Sequence, residues 1–116
     1  MSSISPPVVR FRKDHFLVEL GPDYSHLQEA LLKHLQVLPH LADSIEPGHL
    51  ILDMKEVKFI GSTFIGLLVS VSKRLKSRGG HFALLNTNKF CETVIELAGL
   101  SEFLPQHEVS ESLVGV

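Results

Sequence analysis

Two neighbouring hydroxyls, Ser62 and Thr63, follow Gly61 at the point where a short apolar run gives way to a helical pattern that stops at Gly79-Gly80. A helix leaves its first backbone N–H groups unpaired and is positive at that end, so a hydroxyl there is open to three chemistries. It can cap the helix. It can accept a phosphoryl group, whose dianion the helix start stabilises by on the order of 1 kcal/mol. It can act as a nucleophile if a base stands beside it. No Gly-x-Ser-x-Gly elbow surrounds Ser62, and a base would have to come from afar, for instance His81 with Glu92 or Asp53. No catalytic residue is assigned, and a hydrolase ranks last among the readings.

The remaining reactive side chains are dispersed. Seven histidines, at positions 15, 26, 34, 40, 49, 81 and 107, include no His-x-x-x-His pair, and one cysteine accompanies them, so no metal site is expected. Cys91 falls early in an amphipathic helix and reads as a packed thiol without a role. Neither a phosphate-binding loop nor a Gly-x-Gly-x-x-Gly turn is present, and no cofactor is expected. A net charge of −2 gives no basic footprint for nucleic acid. The longest uncharged run, Phe59–Ser72, is shorter than the roughly 20 residues needed to cross a bilayer. The opening MSSISPP lacks the regions of a signal peptide, so the expected compartment is the cytoplasm and no membrane partner is expected.

The elements that would position Ser62 follow from pattern. At 116 residues and 44% hydrophobic, the chain is expected to form one domain over residues 8–116 behind a loose Ser- and Pro-rich stretch, 1–7. Val8–Arg12 and Phe16–Leu20 alternate across a polar turn and predict a β-hairpin. A helix is expected through Leu27, Ala30, Leu31, His34, Leu35 and Leu38, capped by Asp23 or Ser25 and ended or kinked by Pro39, with Leu41–Ile45 continuing as a short extra turn. Leu50–Leu52 reads as a strand covered on both faces, and His81–Leu85 as another. Asn86-Thr87-Asn88 can cap a helix carrying Phe90, Val94, Ile95, Leu97 and Ala98, with Gly99-Leu100 as a Schellman stop. A short edge strand near Leu104–His107 and a helix around Ser110–Leu113 complete the expectation. The alternation indicates an α/β fold with a mixed, largely parallel sheet and about four helices.

A helical wheel from Ser62 gathers Phe64, Leu67, Leu68, Val71 and Leu75 on the far side, facing a core. The near side collects Ile65, Gly66, Val69, Lys73 and Lys76, a mixed apolar and basic surface open to a partner. Lys73, Arg74, Lys76 and Arg78 sit where cations complement the helix dipole.

From the Ser-Thr elbow through Arg78-Gly79-Gly80, Leu97-Ala98-Gly99-Leu100 and Phe103-Leu104-Pro105, the chain resembles the STAS domains of anti-sigma factor antagonists. Their motif, Asp-Ser-Ser/Thr-Gly, is met here by Gly61-Ser62-Thr63-Phe64, with Gly61 in place of the acid and Phe64 in place of the glycine. The resemblance implies a protein that binds an anti-sigma factor with serine kinase activity, is phosphorylated on Ser62 or Thr63, is restored by a phosphatase, and so regulates transcription. Asp23 and Tyr24 match a family region that also touches the kinase. The alternative is a scaffold or sensing module that no kinase modifies, binding a protein through the same helix face.

Overall fold

The structure, a computed structural model, describes residues 4–27, 29–45 and 48–106. Strands β1 (Val8–Arg12) and β2 (His15–Glu19) form the expected antiparallel hairpin, with Arg12 opposite His15. β2 then runs parallel to β4 (His49–Asp53), and β4 to β6 (His81–Leu85), giving the order β1-β2-β4-β6. Two-residue strands β3 (His26–Leu27) and β5 (Phe59–Ile60) pair in parallel as a second, smaller sheet. The mixed, largely parallel α/β fold is therefore the one expected. Its helices are α1 (Val37–Ser44), α2 (Ser62–Ser77) and α3 (Lys89–Leu97), with 3-10 segments Pro22–Tyr24 and Glu29–Leu35. That is three α-helices among the described residues rather than about four, and the helix expected around Ser110–Leu113 lies outside them.

Period-two alternation sends Val18, Leu50, Leu52, Phe82 and Leu84 to one face of the sheet, where they join the helices' apolar residues in one core. Ile51 points the other way beside its register partners Leu17 and Ala83. It is buried but stands outside that core, so the expectation of helices on both faces of β4 is not met among the described residues.

The segment before β4 departs most from expectation. Instead of one long helix ended or kinked at Pro39, the chain makes two 3-10 segments and a short strand, and α1 then runs through Pro39 and over most of the extra turn expected at Leu41–Ile45. Pro39 is its third residue, where a backbone N–H has no intrahelical acceptor to lose. Leu31, Leu35 and Leu38 still reach the core, so burial is satisfied without the expected helical period. At the other end of this segment Ile4 packs on the core, and the buried Tyr24 hydroxyl donates to the Ser5 carbonyl at 2.7 Å.

The glycine stops behave as sequence chemistry requires. At α2, Gly79 takes φ +77 and the Gly79 and Gly80 amides donate back to Lys76 and Leu75. At α3, Gly99 takes φ +73, with Gly99 to Glu96 and Leu100 to Ile95, a Schellman pair. A Cβ on Gly80 would collide with the Gly48 backbone, so the starts of β4 and β6 close up only because residue 80 is glycine. Arg78 donates to the Ala42 and Ile45 carbonyls at 2.7 and 3.0 Å, tying the end of α2 to the end of α1. The edge strand expected near Leu104–His107 reduces to one parallel bridge, Leu84 with Gln106, and His107 lies outside the described residues.

Candidate functional site

The site is the start of α2. Gly61 occupies the cap position in extended conformation, φ −86 and ψ 163, and supplies no side-chain cap. Its amide donates to Leu27 O at 2.8 Å, and a Cβ there would press on the same oxygen at 3.3 Å. The glycine thus lets the elbow lie close against β3. Ser62 and Thr63 are the first two helical residues, both exposed, and neither hydroxyl has a hydrogen-bond partner among the described residues. The reading of Ser62 as a cap fails by one position: Gly61 holds that place.

Behind the hydroxyls the helix is firmly seated. Phe64, Leu68, Val71 and Leu75 are fully buried, and Leu67 is half-buried. Phe64 therefore directs its bulk into the core, away from the surface that Ser62 shares. Ile65, expected on the open face, is 5% exposed and belongs to the core. The buried arc is centred about 60° round from the point opposite Ser62, which draws Ile65 and Ser72 inward and leaves Thr63 outside. The open face is Ser62, Thr63, Gly66, Lys73 and Lys76, with Val69 half-buried at its margin. The Lys73 and Lys76 ammonium groups stand 5.3 and 5.6 Å from the centre of the Phe103 ring, a cation–π arrangement that holds both along the helix.

Asp23 and Tyr24 part company. Asp23 is exposed and accepts from the Ser5 amide at 3.0 Å. Tyr24 is completely buried, and burial pushes its phenol above the ordinary value, so it presents no surface to a partner.

Sequence reasoning missed an aromatic row beside the elbow. His26, Phe59 and Phe90 stand in sequence across the surface, with ring centres 6.2 and 5.9 Å apart, and Phe59 lies next to Gly61. Phe90 and Leu97, two of the apolar residues expected on the helix after His81–Leu85, are 52% and 84% exposed. Cys91 and Ile95, four apart, are the residues α3 buries, and that spacing was the available signal. Asn88 pins this corner: its carbonyl caps α3 by accepting from the Cys91 amide at 2.7 Å. Its amide nitrogen reaches the Val57 and Lys58 carbonyls, each at 3.2 Å.

No described side chain hydrogen-bonds the Ser62 hydroxyl as a base would. His81, the distant base considered for Ser62, starts β6 just beyond the far end of α2, a helix about 24 Å long. Burial pushes the Cys91 thiol up, the reverse of what a nucleophile needs. Among the described residues no group of three or more His, Cys, Asp or Glu side chains could hold a metal ion. None of their helices is long and apolar enough to cross a membrane.

The family model described as STAS domain matches residues 22–113. Among solved structures, the chain is similar to an anti-sigma-factor antagonist (STAS) domain protein from Planctomyces limnophilus. The identity is 24% with a TM-score of 0.83, over 96% of this chain and 97% of that one. It is also similar to the anti-sigma factor antagonist SpoIIAA in its unphosphorylated form, at 17% identity and TM-score 0.67, over 95% and 97% of the two chains. The phosphorylated form of SpoIIAA from Bacillus gives 17% and 0.64, over 94% and 97%. No curated protein sequence matches the chain.

Proposed function

The chain belongs to the STAS domain family, and we propose that within it this protein is an anti-sigma factor antagonist controlled by phosphorylation at Ser62. It binds an anti-sigma factor that is also a serine kinase, so releasing a sigma factor for transcription in the bacterial cytoplasm. Phosphoryl transfer to Ser62 ends the complex, and a phosphatase restores it. The observation that carries this reading is the Ser62 hydroxyl itself: exposed, without a protein hydrogen bond, and fixed at the start of a helix whose other side is buried.

The physics of the switch is local. A phosphate adds a charge of about −1.5 to −2 beside Gly66 and the margin formed by Val69. The unpaired amides of the helix start tolerate it in the free protein. In a closed interface the same dianion loses water without a matched cation, at a cost of several kcal/mol, which weakens binding at least tenfold. Thr63, equally exposed, is the second acceptor, and Asp23, Gly61, Lys73 and Lys76 complete the contact surface.

A scaffold that no kinase modifies is the second reading, favoured by Gly61, which leaves the position before Ser62 without an acid. Incubation of the chain with ATP and a candidate anti-sigma kinase from the same genome, followed by intact-mass measurement, separates the two. The proposal expects one added phosphate, lost in Ser62→Ala and retained in Thr63→Ala. Stable binding with no mass change would favour the scaffold.

A further inference from the structure

Lys73, Arg74, Lys76 and Arg78 crowd the end of α2, and the domain ties down only the two arginines by polar bonds. Arg74 pairs with Asp43 of α1 at 2.8 Å, and Arg78 donates to the Ala42 and Ile45 carbonyls. Lys73 and Lys76 are exposed and meet no carboxylate among the described residues. Both ammonium groups stand over the ring of Phe103, which packs against the core and so holds two like charges together. These lysines end a stripe. Ser62, Gly66, Val69, Lys73 and Lys76 recur at steps of four, three, four and three along α2, the spacing at which one helix lays a seam against another. The stripe is about 21 Å long, at 1.5 Å per residue, and is exposed except at half-buried Val69. Within it Gly66 weakens the helix for no reason internal to the domain. Glycine inside a helix is less stable than alanine, yet a Cβ at Gly66 would meet no atom within 4 Å. What the missing side chain leaves is room for a close approach from outside.

We propose that the partner meets this stripe with a helix of its own, setting small or apolar residues on Gly66 and Val69 and acidic residues on Lys73 and Lys76. The inference rests on the functional reading above and deepens it by naming what the anti-sigma factor presents. Seam spacing sets two helices about 20° from parallel or antiparallel, and Gly66 lets their axes close toward the short end of the usual range of about 8–10 Å. About four turns of partner helix cover the stripe. The chain as a whole is acidic, net −2, so the lysine pair is a local exception that selects an acidic surface and fixes its register. Ser62 lies at the other end of the same seam. A phosphate there stands against the partner helix, and Lys73, about 16 Å further along the axis, is too far to neutralise it.

The test measures binding of the full-length chain to the anti-sigma kinase of the phosphorylation assay. Gly66→Gln should raise the urea midpoint, because a good helix former replaces glycine at an open position, and yet weaken binding at least about tenfold. Lys73→Glu combined with Lys76→Glu should weaken it as much, and should abolish the loss of affinity that salt causes in the unsubstituted complex. Lys33→Glu, the same charge change at an exposed residue of the Glu29–Leu35 segment, should leave affinity unchanged. Zero-length carbodiimide coupling of the unsubstituted complex should join Lys73 and Lys76 to partner acids three, four or seven positions apart, the spacing of one helix face. Undiminished binding in Gly66→Gln or in the lysine double variant, an equal loss in Lys33→Glu, or coupling through other lysines alone would overturn the seam. If Ser62→Glu weakens the complex while these variants bind as wild type does, the phosphorylation switch stands and only this inference falls. If the unsubstituted chain binds no anti-sigma factor of its genome, the functional reading falls and takes the seam with it.

Discussion

Ser62 and Phe64 are two residues apart and have opposite fates, and the difference between them defines the site. The serine is in water and the phenylalanine is fully buried, because the helix they share sits with one arc against the sheet. Composition and period were enough to read that division. The rotation of the arc was not legible, since Ile65 is drawn inward by packing against elements whose position the local pattern does not encode. Tyr24 likewise looks like a surface residue in a Gly-Pro-Asp-Tyr turn until its hydroxyl finds the Ser5 carbonyl nineteen positions away. Cys91 gives a residue-scale prediction. Its thiol holds its proton more tightly folded than unfolded, because burial disfavours the thiolate. Below the ordinary thiol range both states are neutral and the group adds no pH dependence. As pH rises through that range the unfolded chain ionises first, so stability falls. A colorimetric thiol reagent at mildly alkaline pH should leave the native protein unlabelled and react with one thiol per chain in denaturant. Rapid labelling without denaturant would show the thiol to be open.

Elements whose ends are written in adjacent residues were the ones the sequence could specify. Asn88 before α3 and the glycines after α2 and α3 are local devices, and each appears where expected. Strands β3 and β5 are different in kind. Two residues apiece, they exist only because His26–Leu27 and Phe59–Ile60 find each other, so neither carries a pattern of its own. The same pairing displaced the expected first helix, whose leucines reach the core by another path. Asn88 belongs to both classes, and that sets its predicted effect. Replacing it by alanine removes the cap and the two bonds to the Val57 and Lys58 carbonyls, at a cost toward 2 kcal/mol, the upper end for caps. Asn88→Asp keeps the cap acceptor and loses the donor, so it should fall between wild type and alanine in urea denaturation. An Asn88→Asp midpoint equal to that of wild type would mean that the loop carbonyls contribute nothing, and one equal to that of alanine that the cap contributes nothing.

Across the whole molecule, one core joins sheet and helices on a single face, and the candidate site lies at one end of the strands. The elbow lies beyond the strands' C-terminal ends, whereas His15, His49 and His81 begin β2, β4 and β6 at the other end. The largely parallel character of the sheet follows from the strand-helix alternation, whereas the meeting of those three histidines needs the register, which brings together residues that the sequence scatters. A core closed away from Ser62 also fixes how a switch there must work. The added charge meets neither a buried group nor a side-chain hydrogen bond that it could break, so it cannot act by reshaping the domain. It must act on whatever touches that surface. Ser62→Glu, which places one negative charge at the helix start, should therefore leave the urea midpoint within about 0.5 kcal/mol of wild type, or slightly raise it through the helix dipole. Binding to the proposed anti-sigma partner should nevertheless weaken by a factor of ten or more. If Ser62→Glu instead lost stability and binding in parallel, the charge would be acting through the fold, and the account of a rigid domain with a chargeable contact face would have to be abandoned.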